Sequence, residues 1–271
     1  MDGSSADEMK PEPDHSQPEA TDAGADLEAG ASIDVRISAL ESELSRLRRR
    51  QEVFASGISH DLRAPLRSID GFALQIGREA EAGQPANPAH VERIRSAVAR
   101  MGGLLDSLIA YSRAGRAVLD RQRVDPGFIA EWVLMDLAAL HPGLELATDV
   151  QSGMQAFGDE RLLKLLLEKV LENSLRFAGS ERPLRLRVGG EQESGGFHLV
   201  VEDSGIGMAL RDPDQPFEPF QRLHGASQGG GDGMGLAIAR LVAERHGGRI
   251  WAESAEGEGC RIHLWLPDAP A

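Results

Sequence analysis

The sequence predicts an α+β protein: an N-terminal helical hairpin that pairs with a second copy to form a dimeric four-helix bundle, then a two-layer α/β sandwich. Two observations predict it. From Ile33 to about Gly115, apolar residues recur at helical spacing with no strand-like alternation. Beyond Arg123, helical runs and about five strand-like runs mix without strict alternation, which suits helices laid on one face of a sheet.

Residues 1–30 hold nine acidic residues and one base, Lys10, and their large apolar side chains are Met1, Met9 and Leu27. Such a segment buries too little surface to offset its chain entropy, so residues 1–30 are expected to be a disordered acidic tail. From Ile37, the residues Leu40, Leu44, Leu47, Gln51, Phe54 and Ile58 follow with gaps alternating between three and four. This is a heptad seam with one polar position, and residues 31–50 are read as a coiled-coil helix.

The helical pattern continues through Leu62, Leu66, Ile69, Phe72 and Ile76 until Gly83–Pro88 breaks it. A second helix carries Val91, Ile94, Val98, Met101, Leu105, Leu108 and Ile109. One such hairpin cannot cover its own apolar stripe, whereas two make a bundle. Residues 51–116 are therefore expected to form a homodimer. The sandwich spans residues 122–268. Its helices open near Asp125, Asp159 and Gly235; its strands cover about 144–150, 184–188, 197–203, 249–254 and 260–266.

Composition excludes several classes. The net charge of −14 argues against a nucleic-acid partner, which requires a basic face. No run of 18 apolar residues is present, so no transmembrane helix is expected, and the acidic N-terminus does not resemble a secretory signal. A cytoplasmic location is the expectation. The single cysteine, Cys260, can make neither an internal disulfide nor a multi-cysteine zinc site.

Four stretches carry chemistry. His60, in Ser59-His60-Asp61-Leu62-Arg63-Ala64-Pro65-Leu66, lies about 200° round the helix from the seam residue Ile58 and should face solvent. A neutral imidazole is a competent nucleophile near neutral pH, and Asp61 is placed to accept its Nδ1 proton. Pro65 should kink the helix. Asn173 sits mid-helix, where an amide is a mild liability unless its oxygen serves a hard cation such as Mg²⁺. Arg176 is on the same face and suits a phosphate. Asp203 ends a strand before Ser204-Gly205-Ile206-Gly207. Its carboxylate is placed to accept from an exocyclic amine such as that of adenine, with the glycines letting backbone approach the base. Gly229–Gly235 runs into a helix N-terminus, an arrangement that cradles phosphate through free amides and the helix dipole. Each stretch alone also fits an ordinary helix face, turn or loop.

Together, and in this order, they resemble the sensor histidine kinases of two-component systems. The matching motifs are the H-box at His60, the N-box at Asn173, the G1 box Asp203–Gly207, an F-box-like Phe217–Leu223 and the G2 box Gly231–Gly235. The resemblance covers about residues 50–268, and the H-box is similar to that of phytochrome-type kinases. It implies a Bergerat-type ATP-binding fold, ATP and Mg²⁺ as cofactors, and autophosphorylation of His60 followed by transfer to an Asp of a response-regulator receiver domain. By the same resemblance, His60 is the phosphohistidine and Asp61 its base or orienter. Asn173 ligands Mg²⁺ and Asp203 reads adenine beside Gly205 and Gly207. Gly231, Gly233 and Gly235 line the lid hinge and phosphates, with Arg176 and Arg222 as further phosphate contacts. Phe217 and Phe220 either anchor the lid or pack in the core. Input is assigned to the coiled coil or to a separate sensor protein.

Two positions depart from the family pattern. Lys169 stands where an Asn is usual, and where related ATPases place a water-activating Glu; a charged lysine cannot take a proton, so ATP hydrolysis is not expected. It either touches phosphate or weakens Mg²⁺ binding. Ala64 replaces a polar residue that positions water, so weak or absent phosphatase activity is expected. The alternative readings are an ATP-binding, non-catalytic dimeric scaffold, an ATP-hydrolysing relative, and a serine/threonine kinase of the anti-sigma type.

Overall fold

The computed structural model describes residues 22–179, 183–221 and 231–268, with side chains described continuously from Phe54 onward. Helix α1 (Asp22–Glu81) and helix α2 (Pro88–Arg116) form the expected hairpin. Asn87 caps α2, its side chain accepting from the Ala89 amide, and Pro88 occupies the first turn, where a missing N–H costs nothing. The expected break at residues 83–88 is where the chain turns. Helix α1 is continuous through Pro65.

Two expectations for the N-terminal region are revised or left outside the description. Helix α1 begins at Asp22, so residues 22–30 are helical rather than disordered. Ala23, Ala25, Leu27, Glu28 and Ala29 are strong helix formers, and they extend a helix already nucleated downstream. Residues 1–21, and the side chains of the heptad seam from Ile37 to Gln51, lie outside the described residues.

The sandwich opens with strand β1 (Gln122–Val124), helix α3 (Pro126–Leu140), strand β2 (Leu146–Val150) and strand β3 (Ala156–Gly158). Helix α4 (Glu160–Arg176), strand β4 (Leu184–Glu193) and strand β5 (Gly196–Asp203) follow, then helix α5 (Gly235–Arg245), strand β6 (Arg249–Ala255) and strand β7 (Gly259–Pro267). Five strands form one sheet in the order β2-β4-β5-β7-β6, with β2 and β4 parallel and the other pairs antiparallel. β1 and β3 pair separately as a two-stranded ribbon that the sequence reading did not foresee; three residues each is too short to display an alternation.

The alternation in β4 is as expected. Leu184, Leu186 and Val188 face the core while Arg185 and Arg187 face out. They pack with Leu166, Val170 and Leu171 of α4 and Val242 and Ala243 of α5 in one hydrophobic core. Asp125 and Asp159 cap α3 and α4 by accepting from backbone amides, so both helices start where the sequence placed them. Among the described residues, no helix is long and apolar enough to cross a membrane.

Candidate active site

One cavity of about 740 Å³ joins the helical hairpin to the sandwich. His60, Asp61, Ala64 and Pro65 of α1 line one side, and Asn173 and Arg176 of α4 with Gly231, Gly233 and Gly235 line the other. Residues more than a hundred positions apart thus share one space.

His60 is solvent-facing, with 78% of its side chain exposed, as its helical phase predicts. Its Nδ1 stands 3.0 Å from Oδ1 of Asp61, whose side chain is mostly buried. A carboxylate accepts, so Nδ1 carries the proton and Nε2 presents its lone pair.

On the facing wall, Asn173 is half-buried on α4, one turn before Arg176. A Cβ on Gly231 would run into the Arg176 guanidinium, whose Cζ lies 3.0 Å from that position. The glycine therefore lets the backbone at residue 231 lie against the guanidinium, a fixed positive charge beside it. Gly233 has φ +72°, a conformation that favours glycine, and its carbonyl accepts from the Phe220 amide at 2.9 Å. Asp232 Oδ1 accepts from the Met234 amide at 3.0 Å, shaping the entry into α5. Arg222 lies outside the described residues.

Lys169 lines the cavity, but its ammonium is 3.0 Å from both Glu168 Oε1 and Glu172 Oε2. Burial alone would lower its pKa; the Glu172 and Glu168 carboxylates more than offset this and hold it above the ordinary lysine value. It is a cation, not a general base.

Asp203 is buried and absent from the cavity lining. Its Oδ2 accepts from Ser174 Oγ at 2.8 Å and its Oδ1 from the Gly205 amide at 2.9 Å. Burial raises its pKa, opposed by those bonds and one from the Cys260 amide. Gly205 and Gly207 do not reach the lining either. A Cβ at Gly205 would stand 2.6 Å from the Phe177 carbonyl oxygen, and one at Gly207 (φ +65°) 3.0 Å from that of Gly259. In this structure these two glycines permit close approach of the protein's own backbone.

The two phenylalanines of the F-box-like stretch part company. Phe217 is buried in the sandwich core. Phe220 adopts φ +63°, rare outside glycine, and sets its ring against α1. It packs 5.5 Å from the Phe54 ring, which in turn stacks 5.1 Å from Tyr111 of α2. A Cβ on Gly57 would overlap the Phe220 ring. Nothing in the sequence marked Gly57 or Tyr111; an aromatic seat between two domains appears only once they are brought together.

Comparison with known proteins agrees with both halves. Residues 50–117 match the His Kinase A (phospho-acceptor) domain, and residues 158–270 match the family described as Histidine kinase-, DNA gyrase B-, and HSP90-like ATPase. The chain is 30% identical over 248 residues to the sensor histidine kinase CpxA of Escherichia coli, a match covering 89% of the chain and 51% of CpxA. The chain belongs to the sensor histidine kinases. It spans about half the length of CpxA. Among solved structures, full-length ShkA in complex with AMPPNP aligns at a TM-score of 0.52 with 25% identity, covering 81% of this chain and 46% of ShkA. The histidine kinase ThkA in complex with the response regulator TrrA aligns at 0.58 over 93% of this chain and 69% of ThkA; at 17% identity that similarity speaks for the fold.

Proposed function

We propose that this chain is an ATP-dependent protein histidine kinase that phosphorylates its own His60 and passes the phosphoryl group to an aspartate of a response-regulator receiver domain. The observation that carries the reading is the single cavity with His60 on one wall and the Asn173, Arg176 and glycine-loop cradle on the other. Phosphoryl transfer asks mainly for positioning and charge neutralisation, and this space supplies both.

In the proposed step, His60 Nε2 attacks the γ-phosphorus of ATP. The Nε2–P bond forms, the bond to the β,γ-bridging oxygen breaks, and ADP leaves with that electron pair. Asp61 holds the Nδ1 proton and stabilises the positive charge that develops on the ring. Arg176 and the amides at the α5 N-terminus face the phosphates. The donor set fits Mg²⁺: the Asn173 amide oxygen and the Glu172 carboxylate are hard oxygen ligands on the cavity wall. Bound there with ATP, Mg²⁺ would supply charge neutralisation on the phosphates. The Asp203 carboxylate is proposed to accept from the exocyclic amine of the adenine.

The hairpin leaves Leu66, Leu74, Val91, Val98, Leu105 and Ile109 exposed, which suits burial against a second copy in a four-helix bundle. A cytoplasmic location accords with the lack of a spanning helix among the described residues. The proposal is tested by incubating wild type, His60→Gln and Asn173→Ala with γ-labelled ATP and Mg²⁺. Acid-labile, base-stable label in the wild type and none in either variant is expected. Acid-stable label, or label that survives in His60→Gln, would overturn it; ATP binding without label favours the scaffold reading.

A further inference from the structure

The face of the sheet turned away from the helices carries a row of side chains that the kinase reaction does not use. Glu191 and Glu193 lie on β4, His198 on β5, His263 on β7, and Trp251 and Glu253 on β6. The register makes them neighbours: Glu191 pairs directly with His198, and Trp251 with His263. His198 Nδ1 is 3.1 Å from Glu193 Oε1, His198 Nε2 is 3.2 Å from His263 Nδ1, and His263 Nε2 is 3.7 Å from Glu253 Oε2. Both histidine rings stack on Trp251, at centroid distances of 5.4 and 5.1 Å.

A proton count shows what this row lacks. Three nitrogen contacts, each between two acceptor-capable atoms, require three protons, and two neutral imidazoles carry two. One of the three contacts therefore lacks a proton: either a ring nitrogen turns a bare lone pair toward a carboxylate, or the two rings face each other lone pair to lone pair. His263 Nε2 is a buried atom without a hydrogen-bond partner, so that end is poorly satisfied when the proton sits between His198 and Glu193. A cation at the Glu193 end removes the conflict. His198 Nε2–H then donates to His263 Nδ1, and His263 Nε2–H turns to Glu253.

We propose that Glu191, Glu193 and His198 bind a divalent transition-metal ion of the zinc, nickel or copper class. One ligand atom from each of the three lies within 4.8 Å of the others, and both glutamates are exposed enough to close on an ion. An imidazole with two carboxylates suits these metals. His263 plays the supporting part that fixes a metal-bound imidazole, accepting from its second nitrogen. The site is separate from the nucleotide cavity, whose lining shares none of these residues.

The test is equilibrium dialysis of the nucleotide-free full chain against Zn²⁺, for wild type, Glu193→Gln and His198→Gln. Wild type should hold one more equivalent of zinc than either variant, or bind it about 10–100-fold more tightly. Glu193→Gln alters an exposed strand end and leaves the core intact, so its result stands even if His198→Gln disturbs the stack. In parallel, Cu²⁺ should quench wild-type tryptophan fluorescence through Trp251, and Trp251→Phe should remove that quenchable fraction. Equal zinc stoichiometry and affinity in all three proteins, or quenching unchanged by Trp251→Phe, would overturn the assignment.

Discussion

Replacing Gly57 by alanine should slow phosphorylation of His60 by about ten- to a hundredfold without weakening ATP binding. The new Cβ would lie 2.7 Å from Cγ and 2.8 Å from Cε2 of Phe220, where carbon atoms normally keep at least about 3.5 Å. The ring must leave its seat on α1, and overpacking of this kind costs about 1–3 kcal/mol. The Phe54–Phe220 contact, about 0.5–1.5 kcal/mol, is part of what is lost. The Phe220 amide is bonded to the Gly233 carbonyl, so displacing Phe220 also draws the glycine loop away from the wall that holds His60. A loss near 1.4 kcal/mol is a factor of ten in the docked population, and 3 kcal/mol about a hundred. Helix melting is not a competing explanation, because alanine favours a helix over glycine by about 1 kcal/mol. The assay is a single-turnover measurement of His60 labelling at saturating ATP, with nucleotide affinity measured separately. Gly57 is not part of the cavity lining, so affinity should hold. An unchanged or faster labelling rate would refute the reasoning, because the docked arrangement would then not be the one that transfers phosphate.

Two further outcomes are expected. Ala64 gives the cavity wall no polar side chain, so dephosphorylation of a phosphorylated partner should be weak or absent, and a near-normal rate that depends on residues 59–65 would contradict this. Burial holds the pKa of His246 below the ordinary 6.5, and its neutral ring accepts from the Asp159 amide and donates to the Val242 carbonyl. The unfolded chain binds a proton there more readily, so this stability is full above about pH 6.5 and is lost as pH falls from there toward the folded value. Melting temperature should drop from pH 7 to pH 5.5, and less so in His246→Gln; identical profiles would remove His246 as the cause.

The long periodic elements were legible in the sequence because burial enforces them. The α1–α2 break, the capped starts of α3 and α4, and the alternation of Leu184, Leu186 and Val188 all follow from local rules. The exposure of His60 was legible from its helical phase alone. Other features depend on tertiary context. The close approach of the Phe177 carbonyl to Gly205, and of the Ala255 and Gly259 carbonyls to Gly207, depends on chain segments that meet only in the fold. Phe217 and Phe220 are three residues apart and chemically alike, but one fills the core and the other crosses to α1, through a backbone conformation that no propensity predicts for phenylalanine. The Glu193–His198–His263 row requires the register of three strands, which the sequence does not state.

The most direct test is the regiochemistry of the phosphohistidine. Wild-type chain phosphorylated with ATP and Mg²⁺ would be examined by phosphorus and nitrogen NMR, with His60→Gln as the blank. Asp61 at 3.0 Å from Nδ1 predicts phosphate on Nε2 of His60 and on no other residue. Phosphate on Nδ1, or a phosphohistidine signal that persists in His60→Gln, would contradict the proposed chemistry.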